Sequence, residues 1–404
     1  NWILLPLCDG CSLPMTTSIC TVKKLADDSC GNSRPGSMLV ADSPSMTTKN
    51  ACAGMLQHRF HQASTVCADG LRLPCTLTKR SKQYANIPNL TNTNGHRILN
   101  SGEGMNFKQI AEFVKIEHTL FSLPFVLIGY LIAVEEFNQG YGIDLLYILI
   151  AAVGARGLAM TLNRIIDRDI DAANPRTQGR HLASGTMSMQ TAWMLSAVFL
   201  LMLLVSAGLL NEVALMMAWL PVLAFVIYPY MKRFTWLCHF WLGLCLGLAP
   251  AGAWVAIAAD THGWAAITDA SLWAPTIFAI SLGVALWIAA FDINYARMDV
   301  ESDREQGIHS FPSIFGERAT TRTTIQLSLL WFACFAFSDP IESIYFLAAS
   351  GLMAVANIYV VLKKDSFSDF QTTLFRVSML TGWVLLTSLI IGFAVDVSDA
   401  VVVD

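Results

Sequence analysis

From Ile116 onward the chain is written in apolar runs about twenty residues long, and few folds accept such runs. A bilayer's hydrocarbon core takes about 20 mostly apolar residues per helix, and inside it only helices or closed barrels satisfy every backbone polar group. Nine segments qualify: 117–135, 144–163, 189–210, 212–230, 236–258, 272–294, 322–338, 341–362 and 373–395. They predict an all-α integral membrane protein with nine transmembrane helices. Composition agrees, because 54% of the 404 residues are hydrophobic and only 14% are charged. The mean hydropathy of +0.50 is too high for an ordinary soluble domain.

The connections between segments sort by charge. Arg164, Arg168, Arg176 and Arg180 follow the second segment, and Lys232 and Arg233 follow the fourth. Arg297, Arg304, Arg318 and Arg322 follow the sixth, and Lys363, Lys364 and Arg376 the eighth. The connections after the first, third, fifth and seventh segments carry neither Lys nor Arg. The positive-inside rule therefore puts the basic connections in the cytoplasm and the tail "VDVSDAVVVD" on the other side. A multi-pass protein of the inner (plasma) membrane is expected, with its charged face toward the cytoplasm. The formal net charge of -4 does not suit a nucleic-acid partner.

Residues 1–104 are of a different composition. They hold ten Lys/Arg against six Asp/Glu and seven of the ten cysteines. They show no helical or alternating periodicity and no signal-peptide pattern. This stretch is expected not to fold stably, and the abrupt change at Met105 suggests that 1–104 is translated upstream sequence preceding a domain of 105–404. "CDGC" (Cys8 to Cys11) has no second CxxC to complete a zinc site.

Two acidic clusters carry the chemistry. "LNRIIDRDIDAANPR" (Leu162 to Arg176) ends the second segment, and in it Asn163, Asp167 and Asp171 are spaced by four. On a continuous helix that spacing lines one face. "DINYARMDVESDRE" ends the sixth segment, where Asp299 and Asp303 repeat the spacing and Asp292 lies seven residues earlier, deeper in the apolar run. Charges at a helix end are commonly a solvated cap, but intramembrane carboxylates are costly and usually mark a site. Stacked carboxylates repel unless positive charge is supplied, and Mg2+, a hard ion that bridges carboxylates to substrate phosphates, is the economical supply. Asn163, Asp167, Asp171, Asp299 and Asp303 are the candidate metal ligands. A shift of 136 lays Arg156 on Asp292, Asn163 on Asp299, Asp167 on Asp303 and Arg168 on Arg304. This suggests two related four-helix halves plus a ninth helix, with the site at their interface. Arg156 and Asp292, opposite in sign, are expected to pair across it.

At these residues the chain resembles the UbiA-type family of membrane prenyltransferases, whose signatures are written NDxxDxxxD and DxxxD. "GRHLASGTMS" (Gly179 to Ser188) is similar to the family's NRPL-x-SG segment, "YPYMKRFT" (Tyr228 to Thr235) to YPxxKR, and "QGIHSFPSIFG" (Gln306 to Gly316) to the loop after the second signature. Arg164 departs from the pattern by standing where the family often has Asp. The resemblance implies nine helices, Mg2+, a polyprenyl diphosphate donor and an aromatic acid acceptor of the 4-hydroxybenzoate type, in quinone biosynthesis. "KIEHTLFSLPF" (Lys115 to Phe125) resembles a branch that includes enzymes acting on 1,4-dihydroxy-6-naphthoate in the futalosine route to menaquinone. The acceptor stays open between the two.

On this reading the acids hold the diphosphate through metal, and Arg180, Lys232 and Arg233, with Arg304, Arg176 and Arg156 behind them, bind and neutralise it. Phe291, Tyr295 and Tyr228 are candidates to face an allyl cation. Asp292 would accept the ring proton. Glu117, His118, His309 and Ser310 are candidate contacts to acceptor or diphosphate. The rival from another class is a secondary transporter, which has no need of two metal-spaced acidic clusters on one membrane face.

Overall fold

The computed structural model of this chain describes residues 107–115, 119–338, 340 and 344–403, with side chains as far as 395. The expectation for 1–104, together with Glu117 and His118, lies outside these residues. Every regular element among them is helical. A short lead helix α1 (Phe107–Phe113) precedes α2 (Thr119–Phe137), α3 (Ile143–Ile166) and α4 (Arg168–Ala173). Then come α5 (Met189–Leu210), α6 (Glu212–Met217), α7 (Trp219–Phe234) and α8 (Cys238–His262). Two single-turn helices, α9 (Ala265–Thr268) and α10 (Ala270–Trp273), lead to α11 (Thr276–Tyr295). A 3-10 turn (Ala296–Asp299) joins it to α12 (Val300–Gln306), which is followed by α13 (Phe311–Ser338), α14 (Ile344–Leu362) and α15 (Phe370–Val403).

Eight helices among the described residues are long and apolar enough to cross a membrane. They correspond to eight of the nine expected segments. The remaining one, 322–338, forms the later part of α13, after a kink at Gly316 (φ 76°). Its early turns are seamed with polar residues: Thr320, Thr324 and Ser328 are buried, and Asn294 Nδ2 on α11 donates to Thr324 Oγ1 at 2.7 Å. The Thr320 and Thr324 hydroxyls also donate back to the Gly316 and Thr320 carbonyls of their own helix, and these polar positions, with Arg322, keep its hydropathy below that of the other spans.

The helices close on one another. α3 packs on α5 and α7, α8 on α2, α7 and α11, and α11 on α13; α14 joins α13 to α15, which returns to α2. Small residues set the tightest of these approaches, since helices in lipid associate by packing rather than by a hydrophobic drive. A Cβ at Gly243 of α8 would stand 2.2 Å from the Ala285 carbonyl oxygen of α11. That closeness brings the first turn of α8 against the last turns of α11. α3 and α11 end on the same rim, and the short helices after them, α4 and α12, touch. Both acidic clusters therefore meet at one end of the bundle.

Candidate active site

The first acidic set does not sit on an unbroken helix. α3 stops at Ile166, and Asp167 (φ -94°, ψ 9°) separates it from α4. The i to i+4 hydrogen bonds nevertheless persist, Asp167 N–H to Asn163 O at 2.9 Å and Asp171 N–H to Asp167 O at 2.8 Å. Like charges stacked on a straight helix would stand about 5–6 Å apart; here each buried carboxylate has its own cation. Lys232 Nζ lies 2.6 Å from Asp167 Oδ2, and Arg233 Nη2 lies 3.5 Å from Oδ1. Arg233 also donates to the Ile166 carbonyl at 2.7 Å. Arg180 Nη1 bonds both Asp171 oxygens at 2.8 Å. Burial pushes the Asp167 carboxyl above the usual carboxylate range, with Lys232 and Arg233 pulling it back. Arg164, the departure from the family pattern, is buried with its guanidinium 5.1 Å from the Phe113 ring centroid. It ties α1 to α3.

The second set clasps onto the first. Asp299 Oδ1 accepts from Asn174 Nδ2 at 3.0 Å and from Arg176 Nε at 2.8 Å. Burial weakens the charge on Arg176, but the bonds to Asp299 outweigh it and leave the guanidinium above its ordinary pKa. Arg176, a secondary candidate in the sequence, is thus the strap from the loop after α4 to Asp299. Asp303 is half-buried, and Arg304 turns away to donate Nε to the Ser313 carbonyl at 3.1 Å. Gly307, at φ 69°, ends α12 in the left-handed conformation glycine adopts freely. The turn it starts is laced to the basic segment: His309 N–H donates to the Lys232 carbonyl at 2.8 Å, and the Cys238 thiol to the His309 carbonyl at 3.9 Å.

One residue of this site was not singled out from the sequence. His239, buried on α8, receives the Phe311 N–H on Nε2 at 3.0 Å and meets Asp292 Oδ2 through Nδ1 at 2.7 Å. An imidazole nitrogen that accepts carries no proton, so the proton sits on Nδ1 and is donated to Asp292. Asp292 is therefore paired with His239, and the expected Arg156–Asp292 pair is replaced. The reason is α8, which packs against α11 and supplies the nearer partner. The signal in the sequence was a lone His in "WLCHFWLG", without spacing to tie it to an acid 53 residues on.

Below the acids lies a cavity of about 840 Å3. It runs from Asn163, near the acidic rim, past Arg156, Tyr228 and Trp254 to Ala266 and Ile277 at the opposite end. Among the described residues lining it, Arg156 alone carries a formal charge. Of the three aromatic candidates Tyr228 lines this cavity. Phe291 instead packs at a tilt against Phe121 and Tyr295, and Tyr295 lies under the Arg176 guanidinium.

The donor set suits a hard divalent ion in kind: Asn163, Asp167, Asp171, Asp299 and Asp303 offer only oxygen, on one rim. Among the described residues no three acidic, His or Cys side chains gather around a single point. Mg2+ sites of the phosphate-bridging kind use one or two carboxylates with waters and substrate oxygens completing the shell, so the residues present fit.

The UbiA prenyltransferase family model matches residues 122–394. The chain is 27% identical over 252 residues to a 4-hydroxybenzoate octaprenyltransferase of Shewanella denitrificans, covering 59% of this chain and 78% of that one. It is 28% identical over 284 residues to the enzyme of that name from Psychrobacter arcticus, covering 66% and 85%. With the Coxiella burnetii enzyme of the same name the identity is 32% over 165 residues, 41% of this chain and about half (53%) of the relative. Among solved structures, a UbiA homolog from Aeropyrum pernix matches at 29% identity with a TM-score of 0.62, over 69% of this chain and 98% of that one. A digeranylgeranylglyceryl phosphate synthase shares the fold at 20% identity and a TM-score of 0.51, over 70% and 97%.

Proposed function

The chain belongs to the UbiA prenyltransferase family and is a multi-pass membrane prenyltransferase, and from that premise we propose that it moves a polyprenyl group from a polyprenyl diphosphate to an aromatic acid acceptor, in quinone biosynthesis. The observation that carries this reading is the pairing of two acidic sets with Arg180, Lys232 and Arg176 on the rim of a cavity that is apolar almost throughout. A charged head and a long hydrocarbon tail need those two surroundings side by side. The curated relatives named as 4-hydroxybenzoate octaprenyltransferases support the acceptor class.

Asn163, Asp167, Asp171, Asp299 and Asp303 would hold Mg2+ against the diphosphate. The bound ion would withdraw charge from the diphosphate oxygens and ease departure of the leaving group. Arg180, Lys232 and Arg233 then have two roles. In the structure they neutralise buried carboxylates; with donor present they turn to the phosphate oxygens, whose charge grows as the allylic C–O bond breaks. The tail lies along the cavity, away from water. The Tyr228 ring faces the allylic carbon and stabilises its positive charge. The electron-rich ring of the acceptor attacks that carbon, and its displaced proton passes to Asp292, which the Nδ1–H of His239 holds in place. The rim would face the cytoplasm of the inner membrane, a reading supported by the basic connections.

The test uses membranes containing the protein, labelled polyprenyl diphosphate, Mg2+ and either 4-hydroxybenzoate or 1,4-dihydroxy-6-naphthoate. Labelled product with one acid identifies the acceptor. Asp167→Ala and Asp303→Ala are expected to lower the rate at least about 100-fold, the scale of losing one electrostatic group at the reacting centre. Parental rates in both folded variants would end the reading.

A further inference from the structure

α11 and α13 carry one spacing in common. Trp287, Phe291 and Asn294 stand four and three residues apart on α11, and Thr324, Ser328 and Trp331 do the same on α13, so each set shares a helical face. The two faces meet where Asn294 Nδ2 donates to Thr324 Oγ1 at 2.7 Å, its other hydrogen going to the Ala290 carbonyl at 2.7 Å. With both amide hydrogens committed, Asn294 Oδ1 is the acceptor left over, and it is buried without a partner. The indole Nε1 groups of Trp331 and Trp287 are likewise buried donors without partners. These residues and Ser328 line one small cavity of about 10 Å3 between α11, α13 and α14. Buried polar groups left unmade are costly. The next helix shows the same motif completed. Asn357 Nδ2 on α14 donates to the Met353 carbonyl at 2.8 Å and to Thr381 Oγ1 of α15 at 2.9 Å, and its amide oxygen accepts from the Ser378 hydroxyl at 3.3 Å.

We propose that this small cavity is a binding site for one ordered water molecule, which donates to Asn294 Oδ1 as the Ser378 hydroxyl does to Asn357 and accepts from the Trp331 indole N–H. The wall selects the occupant. Indole N–H groups repel a cation and an amide oxygen repels an anion, so both are satisfied by a neutral molecule that donates and accepts. A volume of about 10 Å3 is about the least that admits one water, and it admits nothing larger. Buried waters commonly make about three hydrogen bonds; the hydroxyl of Ser328, buried on the same wall one turn from Trp331, is the third partner. The water then links α11 to α13 through groups that the helices cannot join directly, which is how polar residues hold helices together in lipid. Asp292 lies two residues before Asn294, about 200° round the helix axis at 3.6 residues per turn. The water therefore braces the back of the helix whose front presents Asp292 to His239.

The experiment uses nuclear magnetic resonance on the full chain in detergent, isotope-labelled at the tryptophan indole nitrogens, with Trp331→Phe identifying the Trp331 signal. The Trp331 indole proton is expected to show a cross-peak to water that changes sign between laboratory-frame and rotating-frame measurements, the mark of a bound water as opposed to exchange with solvent. A resolved Trp331 signal with no such cross-peak overturns the proposal. Asn294→Leu keeps the volume and removes the acceptor, so the cross-peak should vanish in it; a cross-peak of parental intensity there overturns the assignment to Asn294. If the Trp331 signal is not resolved, or Asn294→Leu does not fold, an experimental density map of the parent that shows waters elsewhere in the protein decides. A peak about 2.7–3.2 Å from both Trp331 Nε1 and Asn294 Oδ1 supports the site, and two ordered side chains with no peak between them refute it. None of these readouts depends on turnover, so the site is judged apart from the prenyl-transfer reading.

Discussion

Replacing Gly243 with alanine puts the contact between α8 and α11 to a quantitative test. The added Cβ would lie 2.2 Å from the Ala285 carbonyl oxygen, against about 3.4 Å for ordinary contact, so the two backbones must part by about 1.2 Å there. The obstacle is backbone, which has no rotamer to retreat into. Overpacking of this kind costs about 1–3 kcal/mol. His239 is four residues away on the same helix, and if the shift reaches it in full its 2.7 Å bond to Asp292 is lost. A hydrogen bond to a charged group contributes about 1.5–3 kcal/mol, so with both losses Gly243→Ala is expected to lose between about 2.5 and 6 kcal/mol. The natural control is Gly252→Ala on the same helix, whose new Cβ meets nothing within 4 Å. Removing a helical glycine there should leave stability unchanged or raise it by up to about 1 kcal/mol. Thermal unfolding in detergent separates the two variants, and turnover per folded molecule follows the dyad. Equal melting of Gly243→Ala and Gly252→Ala would show that the close approach does not position the helices.

Other expectations concern the rim. Arg180→Met leaves Asp171 buried without its bidentate partner and should lower stability by about 3 kcal/mol, read by thermal unfolding, while raising the donor KM. His239→Leu should reduce kcat about tenfold or more with little change in donor KM, because Asp292 stays present but unheld; His239→Gln should recover part of it. Chelation of divalent ions should abolish product formation in isolated membranes, with recovery on adding Mg2+; turnover that persists in excess chelator would remove the ion from the scheme. Arg176→Gln, which loosens the strap to Asp299, should weaken donor binding more than acceptor binding in steady-state kinetics.

The sequence displayed those features that depend on local period and local charge. Twenty-residue apolar runs and the alternation of basic connections placed the helices, and the four-residue spacing in "LNRIIDRDIDAANPR" placed the first acids at the end of α3. The segment 322–338 was legible as a helix but not as one with a polar seam, because the Asn294–Thr324 bond that the seam serves joins residues thirty apart. The break at Asp167 was hidden for a related reason. Periodicity cannot register whether stacked acids share one ion or take separate cations, and the partners Lys232 and Arg180 come from other connections. The expected Arg156–Asp292 pair failed on the same point: internal likeness located both groups, but α8, with His239, came between them in space.

The turn from Gly307 to Phe311 is fastened at three points to residues 232–239, which makes the head-group end of this enzyme a rigid socket while the far wall of the cavity consists of interchangeable apolar side chains. On the proposed function, with the donor's tail along the cavity, the length of isoprenoid accepted is set by the distal lining near Ala266 and Ile277, where a larger or smaller side chain shifts the floor without disturbing the mouth. Catalytic competence and chain-length tolerance become separately adjustable traits of one molecule.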